Sequence, residues 1–234
     1  MKRKWNVWRC THHCTQFFRI ARDEVAKTVP VALLPLLLVD DDGLASFEVG
    51  YSHLSAGPQG LPATNELSAA VRLKASSPLR YAVFQLNIAG DNQPYIDHTL
   101  SVDRYNVYTP PARFSVDHQR REYVVHDEEG KLIVQLRHRM KGSIPLPFLP
   151  LVTEAWSQLP GEPLQRRLFK WRGPAFLHRS PFLASTLAPH GFFGALDVSR
   201  AEPIAVEVFA SQQFAASSAQ LLTDPEDAQP PRAR

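Results

Sequence analysis

Glu48 and Glu66 are the residues whose type and placement most directly permit chemistry. In residues 47–54 (FEVGYSHL), Phe47, Val49 and Tyr51 share one face while Glu48, Gly50 and Ser52 share the other. In residues 66–73 (ELSAAVRL), Leu67, Ala69, Val71 and Leu73 alternate with Glu66, Ser68, Ala70 and Arg72. A period of two predicts strands, so each glutamate lies opposite the main apolar set of its own strand. In an open antiparallel sheet both carboxylates would simply be solvated. In a closed barrel the second face points into a lumen, where an unpartnered carboxylate is costly to keep. Two glutamates in one such cavity are expected to raise each other's pKa, which suits general acid/base work.

Other groupings carry less. Cys10-Thr11-His12-His13-Cys14 places four soft ligands within five residues. Structural zinc sites draw their ligands from separated pairs, and there is no second pair here, so no metal is expected and an edge-strand segment is the simpler reading. The strings Gln119-Arg120-Arg121, Arg137-His138-Arg139 and Gln165-Arg166-Arg167, the last followed by Phe169, Lys170, Trp171 and Arg172, resemble a base-stacking surface. Asp127, Glu128 and Glu129 lie close to the first string, and the formal charge is only +3 over 234 residues, so solvated strand faces are expected and nucleic acid is not. Gly57-Pro58-Gln59-Gly60 lacks the Gly-Lys-Ser/Thr ending of a phosphate loop, and no serine sits in a G-x-S-x-G elbow.

The elements that must position the glutamates are mostly strands. Further strands are expected at residues 17–20, 79–88, 121–125, 131–140 and 204–209, with a turn at residues 127–130. A short helix is expected at residues 21–28, with Asp23 and Glu24 near its positive end and Pro30 stopping it. Residues 142–163 contain five of the 20 prolines and predict a loop over one mouth of the fold. Residues 1–16 read as an arm, residues 17–215 as one β-rich domain, and residues 216–234 as a disordered tail. The apolar run at residues 29–39 is about half the roughly 20 residues a membrane helix needs, and two prolines break it. No membrane association is expected. The two cysteines are too few for a disulfide framework, and the basic start is not followed by a continuous apolar segment, so a reducing, cytoplasmic location is expected.

Successive landmarks resemble the acetoacetate decarboxylase superfamily. They are FFRIARDEVAKTVP, ASFEVGYSHL, PATNELSAAVRL and LSVDRYNVYTPPARFSV, spanning about residues 17–116. The resemblance implies a mainly β (α+β) fold, an acetoacetate decarboxylase-like antiparallel β-barrel with few short helices. It implies that Glu48 and Glu66 match the family's two active-site glutamates and that Arg104 and Pro110 match its Arg and Pro. Arg104, Arg113 and Tyr108 are the expected ligand contacts.

The departure comes next to that proline. In the family a lysine directly after the proline, the first of a pair, attacks the substrate ketone to form a Schiff base, whereas Pro111 and Ala112 stand at the positions of the pair here. Neither can form an imine, and the guanidinium of Arg113 stays protonated. The sequence is closest to the branch that lacks the lysine pair. It is expected to bind a small keto or carboxylate ligand in the barrel without a cofactor and without Schiff-base decarboxylation, and a homo-oligomer is possible. One alternative is a lyase using a relocated lysine among Lys74, Lys131, Lys141 and Lys170. Another is an interaction scaffold with Trp5 and Trp8 as exposed anchors.

Overall fold

The computed structural model describes residues 5–77, 80–138, 144–146, 151–172, 175–178, 184–209, 212–217 and 220–221. The strands in chain order are β1 (Trp5–Ala21), β2 (Leu44–Ala56), β3 (Thr64–Leu73), β4 (Arg80–Gly90), β5 (Arg113–Asp117), β6 (Glu122–His126), β7 (Leu132–Arg137), β8 (Ile144–Leu146), β9 (Leu151–Ser157), β10 (Gln165–Arg172), β11 (Ala175–His178), β12 (Thr186–Leu187), β13 (Glu202–Phe209), β14 (Gln212–Ser217) and β15 (Gln220–Leu221). The α-helices are α1 (Arg22–Ala26) and α2 (Gln93–His98).

Seven strands close into a ring in the order β14, β10, β9, β4, β3, β2, β1 and back to β14. The length of β1 makes this possible. Its first part, Trp5 to Cys10, pairs with β14 and seals the ring, while His13 to Arg19 pairs with β13 and leads to β11 and β8. The expected arm at residues 1–16 is therefore corrected over residues 5–16, which form an integral part of the sheet. Trp8 is 3% exposed rather than a free anchor. Polar and aromatic residues without a clean apolar period hid this segment, although Trp8 and Cys10 are buried between the exposed Val7 and Arg9.

Pairing within the ring is antiparallel except between β4 and β9, which run parallel from Arg80↔Val152 to Phe84↔Trp156. Strand β9 also revises the proline-rich loop expected at residues 142–163. Its seven residues contain no proline, and Pro150 and Pro160 flank it. Pro145 falls in β8, the last strand of the sheet path, where a missing N–H interrupts no inner ladder. The expected tail begins too early: Ala216 and Ser217 end β14, and Gln220 and Leu221 pair with β10. Residues 222–234 lie outside the described residues.

A second sheet of four strands, ordered β12, β7, β6, β5, covers the outer face of the ring near β2. Tyr51 of β2 stacks on Tyr123 of β6 at 4.3 Å, and Phe47, Val49, Val125, Ile133 and Leu136 belong to the same buried core. The expected apolar face of β2 is thus fully covered, which leaves the Glu48 face for the inside of the ring. The apolar run after α1 folds as a 3-10 turn, Val31–Leu36, that buries Leu33 against this core. Among the described residues no helix is long and apolar enough to cross a membrane.

Candidate functional site

The ring encloses a cavity of about 130 Å³, comparable with the roughly 150 Å³ apolar cavity that holds a benzene ring. Alternate positions line it: His13 and Thr15 from β1, Glu48 and Ser52 from β2, Glu66 and Ser68 from β3, Gln85 from β4, and Glu207 from β13, which pairs with β1 beside the ring. Register explains their heights. Glu66 lies opposite Ser52, Glu48 lies opposite Ala70, and Glu207 lies opposite Thr15. The two expected glutamates therefore line one cavity but are separated by four residues of β3, about 13 Å along a strand at ~3.3 Å per residue.

The top of the cavity is closed by α2 and the turn after it. The side chain of Asn92 accepts the Tyr95 N–H at 3.0 Å and Pro94 sits in the first turn, so Asn92-Gln93-Pro94 is a helix start. The helix runs on into a π-type turn at Thr99–Asp103, which brings Thr99, Asp103 and Tyr105 to the cavity wall. The Tyr95 hydroxyl donates to Glu66 Oε2. Behind the wall, Arg167 Nη1 donates to Asp103 Oδ1 at 2.8 Å and Nη2 donates to the Val102 carbonyl at 2.5 Å. Arg167 is 3% exposed, so this member of a string expected on a solvated strand face is instead used inside the fold.

Close backbone approach helps shape this end. A Cβ on Gly90 would stand 2.5 Å from the Tyr95 ring, so Gly90→Ala must displace the tyrosine that holds Glu66. Its expected cost is about 1–3 kcal/mol, as for other overpacked sites. The check is the urea midpoint of Gly90→Ala against the wild type, and an unchanged midpoint would contradict the packing.

The electrostatics differ from the expectation in one respect. Glu48 is pushed up to about 8 by burial, with Glu207 adding to the rise and the Arg72 guanidinium opposing it. Burial pushes Glu66 to about 7, against the Tyr95 hydrogen bond and with Asp103 adding to the rise. Glu207 is likewise at about 7 through burial, opposed by Arg72. The two expected glutamates thus do not raise each other: each has its own acidic neighbour, because four residues of strand keep them apart. Arg72 is held between the rings of Phe17 and Tyr81, 5.1 and 4.2 Å from their centroids. Burial lowers His13 to about 4, leaving a neutral imidazole bonded to Ser52 Oγ at 2.8 Å and Thr15 Oγ1 at 2.7 Å.

Three expected ligand contacts are placed elsewhere. Arg104 follows the π-type turn, and its guanidinium pairs with Glu162. Arg113 is exposed at the start of β5, and Tyr108 packs near His190, 5.3 Å between ring centroids. None of the three lines the cavity. Ala112 is buried with its N–H on the Gly90 carbonyl at 2.8 Å, also outside the lining. No lysine lines the cavity among the described residues; Lys141 lies outside them.

The Cys10 to Cys14 cluster is spread over the two faces of β1. Cys14 Sγ lies 3.5 Å from His138 Nδ1, His13 faces the cavity, and His12 stacks on His118 at 3.7 Å. Both cysteines are free and buried, and burial holds the Cys10 thiol up at about 12. Among the described residues no three histidine, cysteine or acidic side chains converge on one ion.

Glu207, Asp103, Tyr95 and Tyr105 were not anticipated. The signal for Glu207 was present: Ile204, Val206 and Val208 alternate with Ala205 and Glu207, the pattern that singled out Glu48. Asn92-Gln93-Pro94 could have marked α2, but nothing local says that its far end would cap a ring.

No protein-family model and no curated protein matches the sequence. Solved structures do match the fold. A structure of acetoacetate decarboxylase superposes with a TM-score of 0.64 at 15% identity, over 93% of this chain and 88% of the other. The enduracididine biosynthesis enzyme MppR complexed with pyruvate gives 0.62 at 13% identity, over 94% and 90%. An acetoacetate decarboxylase-like enzyme from Sphingomonas wittichii RW1 gives 0.55 at 15% identity, over 93% and 92%. The chain therefore has the acetoacetate decarboxylase-like fold that its sequence landmarks imply.

Proposed function

We propose that the protein binds a small keto or carboxylate compound inside the ring and that Glu48 and Glu66 handle protons on it without a covalent imine. The observation that carries this reading is the pair of half-buried carboxyls open to one cavity, held at about 8 and about 7. At neutral pH Glu48 keeps its proton and can donate a hydrogen bond to a carbonyl oxygen. Glu66 divides between its two forms and can accept a proton, with the Tyr95 hydroxyl fixing its orientation. Few polar groups converging among Trp8, Tyr81, Phe169 and Trp171 make the general form of a small-molecule site. A keto acid is a reasonable first probe, since a solved structure of this fold carries pyruvate. The location we propose is a reducing compartment, on the strength of two cysteines that form no disulfide framework.

The test is incubation with pyruvate or acetoacetate in the presence of borohydride, followed by intact mass, alongside calorimetric titration with pyruvate. We expect saturable binding, no reduced adduct, and a loss of about tenfold in affinity for Glu48→Gln, the scale of one hydrogen bond to a charged or strongly polarised group. A borohydride-fixed adduct would reinstate a lysine nucleophile, and peptide mapping would name it. No heat with any small carbonyl compound would remove the cavity as a ligand site.

A further inference from the structure

Four carboxyl groups, Glu48, Glu66, Glu207 and Asp103, open onto the cavity, yet no lysine or arginine is part of its described lining. Asp103 has its charge met from behind by Arg167. Arg72 acts on Glu48 and Glu207 through space while its own guanidinium is held between two rings. Among the described residues Glu66 has no such cation. It meets the Tyr95 hydroxyl, and Tyr105 stands nearby, 4% exposed, with a hydroxyl that has no hydrogen-bond partner among the described residues. Trp8 and Phe169 add aromatic surface to the same cavity. A carboxylate beside aromatic faces, with a buried hydroxyl left to satisfy, attracts an ammonium by charge, by hydrogen bonding where N–H groups are present, and by the ring quadrupoles.

We propose that the compound bound in this cavity carries a positively charged nitrogen, seated at the Glu66, Tyr95 and Tyr105 end, with its carbonyl directed toward Glu48. This rests on the reading that the cavity receives a small carbonyl compound, and adds the charge of that compound. Direction follows from Arg72, which disfavours a cation at the Glu48 and Glu207 end. Around Glu66 the titratable and charged groups are Tyr95, His98 and Asp103 from the cap, Tyr105 after it, Arg167 bonded to Asp103 and 5.8 Å from the Tyr105 ring centroid, and Cys10 and His13 from β1. His13 is neutral at neutral pH and Cys10 is a protonated thiol, so Glu66 is the group whose ionisation tracks the cation. Binding a cation then drives a proton off Glu66, and selectivity for the cation rises as pH passes through about 7.

The experiment is calorimetric titration of the full chain with a matched pair: acetonyltrimethylammonium, a ketone with a permanent charge, and neopentyl methyl ketone, the same shape with carbon in place of nitrogen. Neither ligand titrates, so any pH dependence belongs to the protein. We expect the charged ketone to bind about tenfold more tightly than the neutral one near pH 8, and that ratio to shrink by about tenfold near pH 6 as Glu66 takes up its proton. Glu66→Gln should remove the ratio and its pH dependence, whereas Glu48→Gln should weaken both ketones and leave the ratio in place. Equal affinities at every pH, or tighter binding of pyruvate than of the charged ketone, would overturn the cationic ligand while leaving the carbonyl site standing. If none of the three binds, both readings fall together.

Discussion

Raising the pH from about 6.5 to about 9 will destabilise the folded protein, and Glu48→Gln will remove the largest single part of that loss. Glu48 holds its proton in the fold up to about 8, whereas the same side chain in the unfolded chain releases it near 4.5. Across that interval the unfolded state binds fewer protons than the folded one, so stability falls as pH rises. At 1.36 kcal/mol per unit, Glu48 alone removes on the order of 2 kcal/mol between pH 6.5 and 8, and Glu66 and Glu207 together about 1–2 more. The starting point matters. Burial lowers His13 to about 4, so below its ordinary value of 6.5 the unfolded state takes up the proton and stability changes in the opposite sense. Asp127 and Asp197 are held low by hydrogen bonds to nearby groups and weigh only in strong acid. Urea midpoints at the two pH values decide the matter, provided the slope of the transition stays constant. A wild-type midpoint that is flat or rises with pH would mean that water reaches these carboxyls freely, and the acid/base role proposed for them would lose its basis.

Asp103→Ala will cost about 3–5 kcal/mol, the loss expected when one partner of a buried ion pair is removed and the other charge is stranded. Arg167 is 3% exposed and also donates to the carbonyls of Val102 and Ser217. It thereby ties the π-type turn to β10 and β14, and losing Asp103 leaves a guanidinium without its counter-charge beside the cavity. The double variant Asp103→Leu with Arg167→Met separates charge from packing. It should recover part of the loss, because an apolar pair carries no desolvation penalty. Equilibrium denaturation of the two variants measures this directly. A single variant within about 0.5 kcal/mol of wild type would show that the pair contributes little and that the cap is held by apolar contacts such as Trp8 on Tyr95, 5.9 Å between centroids.

What the sequence determined by itself was local alternation. The period of two in residues 47–54 and 66–73 was enough to assign Glu48 and Glu66 to the face away from the apolar set, and β2 and β3 obey it. The same pattern foresaw β4, β6, β7 and β13. The polar string Asp23-Glu24 before Pro30 marked α1, and Asp127 to Gly130 marked the turn before β7. These outcomes depend on side-chain direction along one strand or on the dihedral limits of a few residues, and both are written in adjacent positions. The landmarks also pointed to a fold that the solved structures match.

What only the tertiary structure decided was the set of partners across the ring. Nothing local says that residues 5–16 seal against β14, that β9 pairs in parallel with β4, or that a π-type turn brings Asp103 toward Glu66. The sources of the raised pKa values belong here as well. Glu48 feels Glu207 and Arg72, and Glu66 feels Asp103 and Tyr95, because charge acts across the cavity between strands distant in sequence. Arg104, Arg113 and Tyr108 lie close to the family-like proline in sequence yet line other surfaces, since proximity along a chain that turns at every few residues fixes neither height nor facing. Alternation sets which way a side chain points; ring closure and register set what it meets there.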